Sequence, residues 1–191
     1  MAVLDVVKYP DPRLREPTHP VEHFDEGLRQ LVRDLADTMF AMNGAGIAAI
    51  QVGRFERVFL IDGRVAGRED DVPVVFCNPE MIDSGHGISI SEEGCLSFPG
   101  VFVEVKRPRW VKFRAQDQDG QWFEIEGEGL LARALQHELD HLTGRLLVDM
   151  VGMVKKEMIK RKMKRWHASQ EGSGGDGDDD AVADDAAPVG A

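Results

Sequence analysis

The stretch Gln136-His-Glu-Leu-Asp-His-Leu-Thr-Gly144 decides how this chain is read. It contains His137-Glu138-x-x-His141. On a helix, residues four apart stand one turn apart on the same face. Two imidazoles so placed can bind one metal ion. Glu138 sits about 100° round from His137, beside the open coordination position. A carboxylate there can take a proton from an attacking water. On a helical wheel, Leu130, Ala134, His137 and His141 form one stripe and Leu131, Leu135, Leu139 and Leu142 a second, leaving Arg133, Gln136 and Asp140 as the polar remainder. A helix that is apolar or liganding round most of its circumference is largely buried. The spacing therefore predicts a buried helix over 130–143, bounded by Gly129 and Gly144.

Working outward, Lys156, Lys160 and Lys164 recur every four residues in a further helix expected over 149–167, with Lys155, Arg161, Lys162 and Arg165 widening the basic surface and Val151, Val154, Met158 and Trp166 as a rougher apolar stripe. Upstream, residues 52–126 read mostly as strands: Val58–Ile61, Val72–Cys77, Val101–Val105, Trp110–Ala115 and Trp122–Ile125, with turn signals such as Asp119-Gly120 between them. Leu28, Leu31, Val32, Leu35, Met39 and Met42 repeat with a helical period over 25–42, with Asp25 as N-cap and Gly44 and Gly46 after the end. Pro10, Pro12, Pro17 and Pro20 keep residues 9–20 extended and turning. Helix, strands, then helices is the order of an α+β fold rather than of repeating βαβ units. Antiparallel strands are expected to pack around the buried helix bearing the two histidines, flanked by an N-terminal and a C-terminal helix.

The 191 residues suit one catalytic domain, 1–168, whose last part, 149–168, is a basic helix. The net charge of −11 argues against general DNA binding, but it is segregated. Residues 151–168 hold seven Lys/Arg and one Glu, whereas 169–191 hold Glu171 and six Asp with no Lys or Arg. That last segment has almost no bulky apolar residue and is expected to be a disordered acidic tail. No run approaches the ~18–20 apolar residues of a membrane helix, and the first residues carry charge where a signal peptide is apolar. The two cysteines, Cys77 and Cys95, cannot build a disulfide framework, which leaves a reducing cytoplasm as the expected setting and either thiol free to bind metal.

The third ligand discriminates between readings. Downstream of His141 stand Asp149, Glu157 and His167, none at a metzincin-like spacing. Upstream, Cys95 lies in Glu93-Gly-Cys-Leu-Ser97 between expected strands, and its thiolate would complete a Cys-His-His site with one position open. Cys77, inside Val-Val-Phe-Cys, reads as a small buried hydrophobe. A zincin-like metallopeptidase is the competing enzyme. A structural-zinc module is the competing binding protein, although no second cysteine stands at liganding spacing.

Three stretches in order resemble peptide deformylase: Gly44-Ala-Gly-Ile-Ala-Ala-Ile-Gln51, Glu93-Gly-Cys-Leu-Ser97 and Gln136–Gly144. The resemblance runs from Val3 to about 168. Ala45, Ile50 and Phe102 depart from the family's usual residues, at positions that bear on substrate preference. The resemblance implies removal of the N-formyl group from the formyl-methionine of newly made proteins. In it, Cys95, His137 and His141 hold one ion per chain and Glu138 is the general base. Gln51 and the Leu96 N–H would form an oxyanion hole, where each donor typically contributes ~3–4 kcal/mol. It implies Fe²⁺ as the working ion, while the mixed thiolate–imidazole set also accepts Zn²⁺, Ni²⁺ or Co²⁺. Ile47, Leu130 and Ala134 are expected to line a pocket for the methionine side chain. Backbone near Gly46 and Gly94 is expected to pair with an extended peptide. A deformylase subgroup with an added C-terminal helix docks on the ribosome, so 151–168 is expected to contact ribosomal RNA through Lys156, Lys160 and Lys164. A bacterial, cytoplasmic monomer with no membrane or DNA partner completes the expectation.

Overall fold

In the computed structural model, residues 2–172 are described. Five strands form one antiparallel sheet in chain order: β1 (Gly46–Ala48), β2 (Val58–Ile61), β3 (Val74–Glu93), β4 (Val103–Gln116) and β5 (Trp122–Glu128). Helix α1 (Glu26–Ala41) precedes the sheet, while α2 (Gly129–Leu142) and α3 (Met153–Gly172) follow it. The arrangement is α+β, as the order of sequence signals predicts. Asp25 caps α1 by accepting from the Leu28 N–H at 3.1 Å.

The strand β2 explains how the layers are assembled. Its four residues are all buried, because both faces of the sheet are covered. Side chains alternate along a strand, so Phe59 and Ile61 face one way and Val58 and Leu60 the other. Phe59 and Ile61 join Phe76, Val111 and Phe113 in a core against Ala132 and Leu135 of α2. Val58 and Leu60 join Val75 and Cys77 in a second core against Leu28, Leu35 and Met39 of α1. A third core gathers Leu14, Phe98, Val105 and Val148 with Ile159 and Met163 of α3.

Several boundaries differ from the sequence reading. Of the expected strand Val72–Cys77 only residues 74–77 are strand, and they open the 20-residue β3, while the two expected strands Val101–Val105 and Trp110–Ala115 merge, from Val103 on, into one continuous β4. The added length is a two-stranded ribbon whose outer residues, such as Asp83, Ser84 and His86, are exposed and look like loop in sequence. Register shifts at Cys77/Glu80, Met81/Asp83 and Gly85/Ile88 break the alternation that identifies a strand. The helix expected over 149–167 starts later, after a short 3-10 turn at Leu147–Asp149, and runs through Gly172. Residues 169–172, expected in the disordered tail, therefore belong to α3. The rest of that tail lies outside the described residues. Among the described residues, no helix is long and apolar enough to cross a membrane.

Candidate metal centre

Helix α2 presents His137 and His141 one turn apart, with ring centroids 5.1 Å from each other. The loop leaving β3 brings Cys95 to them: its Sγ is 3.3 Å from His141 Nε2. One donor atom from each of Cys95, His137 and His141 lies within 4.8 Å of the others. Nitrogen and sulfur donors gathered in this way are the ligand types of catalytic metal sites that keep one position open. Cys77, by contrast, is fully buried in the α1-side core, where burial pushes its thiol up to about 12. It takes no part in the cluster.

Glu138 is buried and lines a cavity of about 560 Å³ with Cys95 and His137. Its Oε2 has no hydrogen-bond partner, an uncommon state for a buried polar atom. Burial pushes its carboxyl up to about 7, in the range where a carboxylate both accepts and returns a proton at neutral pH. Burial also holds His141 well below its usual value, whereas at His137 burial is outweighed by hydrogen bonds to Cys95 and Glu93, which hold that imidazole well above its own. The orphaned Glu138 oxygen and the thiol–imidazole donor set both fit a bound cation with water beside it.

Beneath these groups lies a buried ion network that sequence reasoning missed. Glu93, 2% exposed, accepts from Arg107 Nε at 2.5 Å and Nη2 at 2.8 Å, and from Arg133 Nη1 at 2.6 Å. Its Oε2 is also 3.0 Å from His137 Nδ1. Arg107 bridges onward to Asp140 at 2.9 Å. Burial penalises the Glu93 charge, but the bonds from Arg107 and His137 outweigh it and hold the carboxyl at about 2. Glu93 thus stays anionic and occupies Nδ1 of His137, leaving Nε2 for an ion; such outer partners fix ring orientation and tautomer. Glu93 stands inside a recognised motif, and only its neighbour Cys95 carried the chemical signal. Arg133 and Gln136, the polar remainder of the wheel, are buried as well, because their partners come from β3 and β4.

Gln51 is 1% exposed and follows β1 in a 3-10 turn. Its Oε1 accepts from the Ala48 N–H at 2.9 Å, which turns Nε2 towards Cys95 Sγ at 3.7 Å and Ser97 Oγ at 3.3 Å. Leu96 lines the cavity, and Lys8 Nζ ties down its carbonyl at 2.7 Å. Gly46 and Gly94 line the same cavity, as does Ala134. At Gly46 a β-carbon would stand 2.8 Å from Glu138 Oε1, so glycine there is demanded by the carboxylate and not by a turn.

Two expected pocket residues stand elsewhere. Ile47 is fully buried in the α1-side core, because alternation along β1 turns it to the face opposite Gly46. Leu130 is 47% exposed in the first turn of α2, two turns before His137, and does not line the cavity. Met42, Phe98 and Val101 supply apolar lining in their place. Lys156 and Lys160 lie on α3 in ion pairs with Asp149 at 3.7 Å and Glu157 at 2.7 Å, whereas Lys164 has no ion pair among the described residues.

An antiparallel sheet, a helix offering two imidazoles and a carboxylate, and a thiol from the adjoining loop define a hydrolase site suited to one metal ion. A family model described as polypeptide deformylase matches residues 3–157, and the chain belongs to that family. It is 46% identical over 165 residues to "Peptide deformylase 1" of Burkholderia multivorans, covering 86% of this chain and 90% of that one. The crystal structure of a peptide deformylase from Legionella pneumophila superposes with a TM-score of 0.83 at 43% identity, covering 89% of this chain and 98% of that one. The Ehrlichia chaffeensis peptide deformylase in complex with actinonin gives a TM-score of 0.81 at 36% identity over 87% and 98% of the two chains.

Proposed function

We propose that this chain removes the N-formyl group from the N-terminal formyl-methionine of newly synthesised proteins, releasing formate. The observation that carries the reading is Glu138, buried and unpartnered at one oxygen, set beside the Cys95–His137–His141 cluster in an open cavity. Cys95, His137 and His141 would hold an ion, which would supply Lewis acidity towards water and the formyl oxygen. Glu138 takes the proton of the attacking water and returns it to the leaving amine. Gln51 Nε2 and the Leu96 N–H donate to the oxygen that becomes anionic at the formyl carbon. Glu93 orients the His137 ring through Nδ1. In this reading α2 is the central helix of the catalytic domain.

The extended peptide pairs with backbone near Gly46 and Gly94, which line the cavity. Ala134 lines the methionine site, and Met42, Phe98 and Val101 supply its apolar surface in place of Ile47 and Leu130. Fe²⁺ is the working ion, with Zn²⁺, Ni²⁺ or Co²⁺ able to substitute, one per chain. The protein works as a monomer in the bacterial cytoplasm, and α3 contacts the ribosome through Lys156, Lys160 and Lys164. A zincin-like peptidase is not favoured, because the family match covers both the cysteine-bearing loop and the histidine helix.

The test is formate release from formyl-Met-Ala-Ser by anaerobically purified protein, with metal analysis of the same sample. Formate produced in proportion to bound metal is expected. Cleavage of internal peptide bonds with no formate would overturn the reading.

A further inference from the structure

A groove of about 1200 Å³ separates α3 from the start of β4. Its floor is apolar, with Phe102 51% and Met158 64% exposed. Five cations line the groove, Lys155, Arg161, Lys162, Lys164 and Arg165, all on α3, against two carboxylates, Glu92 and Glu104, on the facing strands. Arg161, Lys164 and Arg165 have no ion pair among the described residues, and Lys155 has only a solvent-exposed one with Glu104 at 3.4 Å. Exposed pairs of that kind are worth little and exchange readily. Unneutralised cations over exposed aromatic and methionine surface suit an anionic peptide with small apolar residues.

The chain itself contains such a segment. Residues 173–191 carry Asp176, Asp178, Asp179, Asp180, Asp184 and Asp185, with no Lys or Arg, and Ala181-Val182-Ala183 lies between the two aspartate groups. The segment begins where α3 ends, at Gly172, and α3 lines the groove from Lys155 to Ala168. A return path along the helix from 172 to 155 is roughly 25 Å at 1.5 Å per residue. The segment spans roughly 60 Å when extended. A tethered ligand of this kind acts at an effective concentration of about a millimolar, so weak contacts suffice.

We propose that residues 173–191 dock in cis in the groove between α3 and β4. Docking neutralises the rim and lays chain against Phe102 and Val101, which also line the catalytic cavity. It also covers Lys164, so the segment competes with any polyanion for that face of α3. The inference goes beyond the deformylase reading and does not depend on it.

The test is zero-length carbodiimide cross-linking of the full chain, which joins a carboxylate to an amine in contact with it, mapped by mass spectrometry. Cross-links from Asp176–Asp185 to Lys155, Lys162 and Lys164 are expected in the monomer band. They should fall severalfold in about 1 M salt, where the screening length is about 3 Å. The Glu157–Lys160 pair is the positive control. Changing Arg161→Glu, Lys164→Glu and Arg165→Glu together should remove the links to Lys155 and Lys162. The proposal fails if the control forms and the segment gives no links. It fails equally if the links reach remote lysines such as Lys112 as often, if they appear only between chains, or if the triple variant or salt leaves them unchanged.

Discussion

Replacing Gly46 with alanine isolates the packing that sets the candidate base. Backbone conformation does not demand glycine here: Gly46 pairs with Ile61 in regular β structure and its φ is not in the left-handed range. The added β-carbon would instead lie 2.8 Å from Glu138 Oε1, 3.0 Å from Glu138 Cγ and 3.0 Å from Ile61 Cδ1. Ordinary contact begins at about 3.4 Å, so the carboxylate must retreat by several tenths of an ångström. Glu138 is 4% exposed and Ile61 fully buried, so neither can swing into solvent. Overpacking of this kind costs about 1–3 kcal/mol of stability. A misplacement of about 1 Å at a reacting group costs about 10²-fold in rate, so roughly half that displacement predicts about a tenfold loss. The loss should fall in kcat for formyl-Met-Ala-Ser, with metal content unchanged. Gly85→Ala is the control, since no atom lies within 4 Å of its β-carbon and its φ is ordinary; it should stay within about 0.5 kcal/mol of the parent and keep full turnover. If Gly46→Ala held its metal and kept kcat within about twofold, close packing against Glu138 would not be the reason for glycine there.

Glu138→Gln should retain metal yet lose about 10²–10⁴-fold in turnover; retention of most activity with metal bound would remove Glu138 from the role of base. Cys95→Ser should lower metal content, and after chelation the native parent should take up iodoacetamide at Cys95 alone, because burial pushes the Cys77 thiol up to about 12; modification of Cys77 at the same rate would contradict that assignment. Glu93→Gln removes the anion shared by Arg107 and Arg133, so denaturant titration should show a loss of about 3–5 kcal/mol, and metal titration a 10–100-fold weaker site; two unchanged curves would mean the network is incidental. Lys156, Lys160 and Lys164 changed together to Glu should abolish ribosome co-sedimentation while far-ultraviolet circular dichroism stays unchanged; equal co-sedimentation at low and moderate salt would leave α3 as packing only.

Local pattern was enough wherever the signal is carried by residues close in sequence. The helical periods of α1 and α2, the short apolar run of β2 and the Asp25 cap were all legible to within a residue or two. So was the pairing of His137 with His141, because four residues on a helix fix two side chains on one face whatever surrounds them. Cys95 was legible as a candidate from its chemistry and sparse competition, though its approach to His141 depends on the fold. Other features have no local signature. The outer half of the β3–β4 ribbon is polar, exposed and interrupted by register shifts, and backbone pairing across the ribbon, not side-chain period, makes it a strand. Ile47 and Leu130 lost their expected places because strand alternation turns one away and axial distance along α2 removes the other. The network of Glu93, Arg107, Arg133 and Asp140 draws on β3, β4 and α2 at once. Each of those charges alone resembles a solvated surface residue. Only the tertiary structure brings them together away from water, where an unpaired charge is costly enough that each must meet the others.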